Sequence, residues 1–231
     1  MGSETPEDAA PGDERPFPER ARTATSSDEV RAVYDAWAPT YDADHADDPV
    51  PDLVADRVAD LVPPSTDVLD APCGTGRVGA ALARHGFTSI DGLDLSPRMV
   101  ALARRRRVHH DLGPADLSRR LPGAADKFGV VTCVGGLVPG HLPASALAEF
   151  ARVVRPGGLI VCGVLDEHRE ALRLDRCLAD LAAHGTAHAV AGGSQVLHRT
   201  PAGTMRLEVL EVLATTAAHG GGPGALGSVG A

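Results

Sequence analysis

The stretch Val68-Leu69-Asp70-Ala71-Pro72-Cys73-Gly74-Thr75-Gly76-Arg77-Val78-Gly79 decides how this chain is read. Val68 and Leu69 are apolar and run into an acid, as a short buried strand does at its carboxyl end. Gly74 and Gly76 follow, where a backbone without Cβ takes positive φ or passes close to a ligand. Helical spacing then runs from Gly76 to His85, and Gly86 supplies the stop. Strand, glycine-rich turn and helix in that order set free N–H groups and a positive dipole end over the strand terminus. A second strand over 89–93 delivers Asp94, an acid placed to accept hydrogen bonds from both hydroxyls of a ribose.

On the amino-terminal side, Ser26 with Glu29 three residues later forms a capping-box pattern. Val30, Val33, Tyr34, Trp37 and Tyr41 follow on one helical face. A second helix over 52–62 carries Val54, Val58, Leu61 and Val62 and ends at Pro63-Pro64. On the carboxyl side, Ser96 caps a helix with Pro97 in its first position. Strands are expected over 108–112, 128–134 and 158–164. A helix is expected over 143–154, striped by Leu147, Phe150, Ala151 and Val154. Another is expected over 167–184, with Leu174, Cys177, Leu178 and Leu181 on one face. Two β-like runs, 188–199 and 205–213, close the pattern around turn residues 201–203. Apolar strands alternating with amphipathic helices mean an α/β fold with helices on both faces. The expected architecture is a doubly wound, mostly parallel, seven-stranded sheet, with an antiparallel edge hairpin and an N-terminal helical addition over 26–62. The polar, Pro-rich residues 1–25 read as a disordered tail, 26–215 as the domain, and 216–231 as a flexible Gly-rich tail.

Composition narrows the function. The chain of 231 residues suits one domain, and with aromatics at 3% its core must come from Ala and aliphatic side chains. A net charge of −9 opposes a sequence-independent grip on nucleic acid. Cys73, Cys133, Cys162 and Cys177 form no C-x-x-C pair, so no metal site is expected, and they read as buried free thiols of a reducing compartment. No apolar run approaches the ~18 residues that span a bilayer, and no signal sequence opens the chain. The expected setting is cytoplasmic, without membrane partner.

Gly74-Thr75-Gly76-Arg77-Val78-Gly79 also satisfies the G-x-G-x-x-G dinucleotide fingerprint, so a nicotinamide-dependent oxidoreductase is the competing reading. Asp70 at the strand end argues against it, because a carboxylate there repels a pyrophosphate and attracts an ammonium group. The run D-A-P-C-G-T-G resembles the first motif of class I S-adenosylmethionine (SAM)-dependent methyltransferases. Asp94-Leu95-Ser96 resembles their ribose-binding acid. The stretch Asp116 to Pro122 resembles their adenine-side loop, where Asp116 competes with Asp111 for the role. Arg155-Pro156-Gly157-Gly158-Leu159 resembles the turn before their fifth strand. Tyr34 to Asp42 is similar to the opening segment of the Williams–Beuren-region methyltransferase-like subgroup. The resemblance implies SAM as cofactor, held by Asp70, Ala71, Cys73, Gly74, Gly76, Asp94, Leu95, Met99, Asp116, Leu117 and Val134. It implies methyl transfer to an O, N or C nucleophile of a small molecule by in-line displacement; a SAM-binding module without turnover is the non-enzymatic alternative.

Tyr34, Trp37 and Tyr41 are expected to wall the acceptor site, as part of a lid or a fixed cover. His141, in the small, bland run after the fourth strand, is the candidate general base. Where many relatives carry Phe-Asp before that strand, this chain has Phe128-Gly129. Cys73 reads as close packing rather than a nucleophile. His109 and His110 read as surface residues, and Arg104 to Arg107 as a solvated helix end.

Overall fold

The computed structural model describes residues 14–200 and 203–214. Strands β1 (Val68–Asp70), β2 (Ile90–Asp94), β3 (Asp111–Pro114), β4 (Phe128–Val134) and β5 (Val154–Leu165) pair in parallel in the order β3-β2-β1-β4-β5. The sheet continues with β8 (Gly203–Val212), antiparallel to β5, and ends on β6 (Ala187–Ala189); β7 (Gln195–Thr200) also pairs with β8. This is the expected parallel sheet with an antiparallel edge, enlarged to eight strands among the described residues. The extra strand arises because the run expected over 188–199 turns midway, at Gly192 with φ 68° and Gly193, whose N–H bonds Val190 O at 2.8 Å. The helix expected over 167–184 is likewise two, α7 (Asp166–Ala171) and α8 (Leu174–Ala183), broken by Arg173 in the left-handed region at φ 50°.

Both faces of the sheet are packed. Helices α3 (Val50–Leu61) and α4 (Arg77–Arg84) bury Val54, Val58 and Leu82 against Val68, Ile90 and Val130. Helix α6 (Ala146–Val153) and α8 bury Leu147, Phe150, Leu174 and Leu181 against Val131, Ile160 and Leu210 on the other. At Gly129 a Cβ would collide with Cγ2 of the buried Thr66, so the position has little room for a side chain. Strand order reverses between β1 and β4, so the carboxyl ends of β1, β2 and β4 lie side by side at the switch point where such sheets take ligands.

The amino-terminal addition starts earlier than expected. Residues 17–23, read as part of a disordered tail, form α1 (Phe17–Thr23), because Phe17 and Ala21 find an apolar partner in Trp37. The tail expectations for 1–13 and 215–231 lie outside the described residues. Helix α2 (Ser27–Asp44) is capped as expected, with Ser26 Oγ accepting from Glu29 N–H at 3.3 Å. Ser26→Ala should cost about 1 kcal/mol, or roughly 2–4 °C in melting midpoint for a domain of this size; an unchanged midpoint in thermal melting would show that the cap contributes nothing. No described helix is long and apolar enough to cross a membrane.

Candidate functional site

At the carboxyl ends of β1, β2 and β4 lies a cavity of about 580 Å³. Its floor is the glycine-rich turn. Gly74 has φ +52° and a Cβ placed on it would meet no atom within 4 Å, so the backbone there stands open to the cavity it lines. Gly76 differs. It also has positive φ, +83°, but a Cβ on it would meet Ala103 and His109 behind the turn, and it does not line the cavity.

Asp94 ends β2 beside this turn and is 7% exposed. Its Oδ2 accepts from Gly74 N–H and its Oδ1 from Ser96 N–H, both at 2.8 Å. Burial pushes its carboxyl up to about 6, against the pull of these two hydrogen bonds. Each carboxylate oxygen keeps acceptor capacity beyond the one bond it makes. Across the cavity, Asp116 lies at a wall with Leu117 and Ser118. Burial acts to raise its carboxyl, but bonds from Ser118 N–H (3.0 Å), Ser118 Oγ (2.6 Å) and Arg119 Nε (3.1 Å) hold it below the usual range. Its competitor Asp111 is exposed at the start of β3, away from the cavity. Cys73, Leu95, Met99 and Val134 complete the apolar lining. Burial drives the Cys73 thiol far above its ordinary value, with Asp70 adding to the effect, so it is a packing residue and no nucleophile.

Helix α2 forms the facing wall, and it is pinned at two points. Asp35 Oδ1 accepts from Ser96 Oγ at 2.5 Å, at the N-cap of α5 (Pro97–Arg106). Asp42 accepts from Thr75 Oγ1 at 2.5 Å and pairs with Arg106 Nη2 at 2.6 Å. Tyr34 and Tyr41 face the cavity, and burial pushes both phenols up, Tyr41 to about 12. Trp37 is not a wall residue. It is 5% exposed, stacks on Phe17 at 5.6 Å and donates from Nε1 to Asp44 Oδ2 at 2.7 Å, so it holds α1 to α2. His141 lines the cavity edge-on to Tyr34 at 5.6 Å, with its Nε2 2.8 Å from Ala21 O.

The structure thus gathers eleven of the residues singled out in the sequence: Tyr34, Tyr41, Cys73, Gly74, Asp94, Leu95, Met99, Asp116, Leu117, Val134 and His141. Asp70 and Ala71 stand behind the lining, both fully buried, with Asp70 Oδ1 accepting from Thr132 Oγ1 at 3.0 Å. Sequence reasoning missed two wall segments. One is the segment from His45 to Pro51, the α2–α3 connection and the first residues of α3, clamped by Arg77, whose Nη1 pairs with Asp48 Oδ2 at 3.2 Å. The other is the rim of Leu165, His198 and Met205 from β5, β7 and β8. Neither has a motif; only the fold brings them to the cavity.

Residues 68–158, the span from β1 through the turn before the apolar part of β5, match the methyltransferase domain family. That match covers 91 of the chain's 231 residues. Human methyltransferase-like protein 27 is 37% identical over 133 residues, 55% of this chain and 54% of that protein, in line with the Williams–Beuren-region subgroup that the segment Tyr34 to Asp42 resembles. The demethylmenaquinone methyltransferase of Renibacterium salmoninarum is 35% identical over 148 residues, 62% of this chain and 61% of that protein. The chain therefore spans little more than half the length of these relatives. Among solved structures, the chain superposes on the 1,6-didemethyltoxoflavin-N1-methyltransferase of Burkholderia thailandensis, which has S-adenosylhomocysteine bound, with a TM-score of 0.60 at 20% identity, covering 80% of this chain and 88% of that one. The [4+2]-cyclase SpnF matches with a TM-score of 0.64 at 17% identity, covering 82% of this chain and 98% of that one. At these identities the superpositions establish the fold and not the reaction.

Proposed function

We propose that the chain is a SAM-dependent methyltransferase that binds SAM across Gly74, Asp94 and Asp116 and methylates a small molecule. The observation that carries this is Asp94, a buried carboxylate anchored through both oxygens to backbone N–H groups at the switch point, with acceptor capacity left over for a ribose. Asp116, kept ionised by Ser118 and Arg119, supplies acceptors at the adenine end. Three features support SAM over a nicotinamide dinucleotide: the antiparallel β8 inserted between β5 and β6, Asp70 beneath the turn, and the match to the methyltransferase family.

When bound, SAM supplies an activated methyl group and leaves as a neutral thioether. No acid is needed for that departure, so the residues of the chain act mainly by alignment and water exclusion. Tyr34 and Tyr41 remain protonated throughout the physiological range and present hydroxyl donors to the cavity. A hydroxyl acceptor must also lose a proton, and His141 is placed to take it. Because Ala21 O only accepts, His141 Nε2 carries the ring hydrogen and the neutral ring keeps its lone pair on Nδ1. Burial holds this imidazole below its ordinary pKa, so it stands ready as a base at neutral pH.

Several relatives are named for menaquinone or ubiquinone methylation, and an apolar wall with tyrosines suits an aromatic acceptor carrying an O or C nucleophile. Incubating the chain with methyl-labelled SAM and a panel of hydroxylated aromatic compounds tests this. Label transfer to one of them is the expected result; S-adenosylhomocysteine binding without transfer to any acceptor would favour the non-enzymatic module. Deleting residues 1–25 removes Ala21 O and Phe17. It should lower the melting midpoint and cut kcat/KM several-fold, and full activity in the shortened chain would show that α1 does not orient His141.

A further inference from the structure

We propose that His109 is a positioning residue for the glycine-rich turn, seated in a socket made by the missing side chains of Gly76, Gly79 and Gly92. The proposal rests on reading Gly74 and Asp94 as the cofactor-holding groups. His109 lies in the connection between α5 and β3, and its side chain is fully buried. The surface position expected from the sequence is therefore wrong, while its neighbour His110 is exposed with a side chain 81% accessible.

The socket is defined by three backbones. A Cβ on Gly79 would stand 2.7 Å from His109 Cε1; one on Gly76, 3.0 Å from Cε1; one on Gly92, 3.0 Å from His109 Cδ2 and 2.6 Å from Leu112 Cδ2 beside it. Gly76 caps the start of α4, Gly79 lies within α4 and Gly92 in β2, so a single imidazole spans the gap between helix and sheet. Of the glycines in the fingerprint, only Gly74 is open to the ligand side; a Cβ on Gly79 would meet only the His109 ring, and one on Gly76, at φ +83°, would meet both His109 and Ala103.

The same ring faces a buried acid. Asp70 is fully buried, paired in register with Gly92 and Thr132, and its Oδ2 lies 3.8 Å from His109 Nε2. Oδ2 and both ring nitrogens lack hydrogen-bond partners among the described residues. A buried polar atom without a hydrogen bond is costly; Asp70 Oδ1 has Thr132, and the His109 ring is the polar group that faces the unpaired Oδ2. The turn has a second hold, because Arg106 Nε donates to Thr75 O at 2.7 Å. The turn is thus held between Arg106 and His109, with Gly76 N–H closing it onto Cys73 O at 2.8 Å. A shift of the start of α4 would carry Gly74 N–H away from Asp94 Oδ2, the contact that fixes the carboxylate for its ligand.

The test is a cycle of Gly79→Ala, His109→Ala and the double variant, each melted and titrated calorimetrically with S-adenosylhomocysteine. Inside a helix, Ala is ordinarily favoured over Gly. In the native background Gly79→Ala must displace His109, and its midpoint should fall by about 2–4 °C. In the His109→Ala background the same substitution should raise the midpoint by about 2 °C. His109→Ala should weaken S-adenosylhomocysteine binding tenfold or more. Val58→Ala, a core truncation on α3 away from the cavity, should lower the midpoint and leave that affinity unchanged. Gly79→Ala acting with the same sign in both backgrounds would overturn the socket. Native-like affinity in His109→Ala would overturn the positioning role. Should the native chain take up no S-adenosylhomocysteine, the cofactor reading fails while the melting cycle still decides the socket. His109→Asn, smaller and polar, carries the same cycle if His109→Ala does not fold.

Discussion

Asp94→Ala should weaken S-adenosylhomocysteine binding by about 10- to 150-fold, the equivalent of the roughly 1.5–3 kcal/mol that hydrogen bonds to a charged group contribute. The substitution removes the acceptors offered to a ribose and strands the N–H groups of Gly74 and Ser96, both held by this carboxylate at 2.8 Å. The native site should also respond to pH. Burial sets the Asp94 carboxyl at about 6. Below that value it protonates, and affinity should fall by up to about tenfold per pH unit; in Asp94→Ala the same window should be flat. Stability runs the other way. A carboxyl whose folded value lies above its unfolded value of about 4 contributes stability at low pH that is lost as pH rises through about 6. The gap in melting midpoint between native chain and Asp94→Ala should therefore narrow from pH 4 to pH 8. Calorimetry across pH 5–8 decides the first point: an unchanged dissociation constant in Asp94→Ala, with the fold intact, removes this residue from the site.

His141→Gln should lower kcat by about 10²–10⁴-fold for a hydroxyl acceptor, the usual contribution of a positioned general base, while KM for SAM stays near native. Glutamine keeps an N–H for Ala21 O but has no basic nitrogen, so it separates orientation from proton transfer. Because burial lowers the His141 pKa, native activity should rise with pH and reach its plateau before the ordinary histidine range has been passed. A native kcat in His141→Gln would assign the proton to bulk water or show that the acceptor has none to lose.

The sheet and its ligand end were legible because they rest on local patterns. A β1 of only three residues was recognisable from the acid and glycines that follow it, and Ser26 and Ser96 mark their helix starts by the side-chain caps they make. Asp94 was legible for the same reason, as an acid at a strand end after a fingerprint. What was not legible depends on contacts distant in sequence. The segment with α1 looks disordered by composition, yet folds because Trp37 offers it an apolar partner. Trp37 shares a helical face with Tyr34 and Tyr41, but Phe17 covers it and directs it away from the cavity. His109 has no local sign of burial; its socket is assembled from residues of α4 and β2. The cluster Arg104 to Arg107 read as solvated, but Arg106 turns inward to Thr75 and Asp42. His45 to Pro51 reaches the cavity through the clamp of Arg77 on Asp48.

The central claim is that the cavity above Gly74 and Asp94 is built for the nucleoside of SAM. Isothermal titration of the native chain with S-adenosylhomocysteine, SAM and NAD measures this directly. The account predicts saturable, one-to-one binding of the first two and none of the dinucleotide. Binding of NAD in preference to S-adenosylhomocysteine, or no uptake of either methionine-derived ligand by the folded chain, would contradict it.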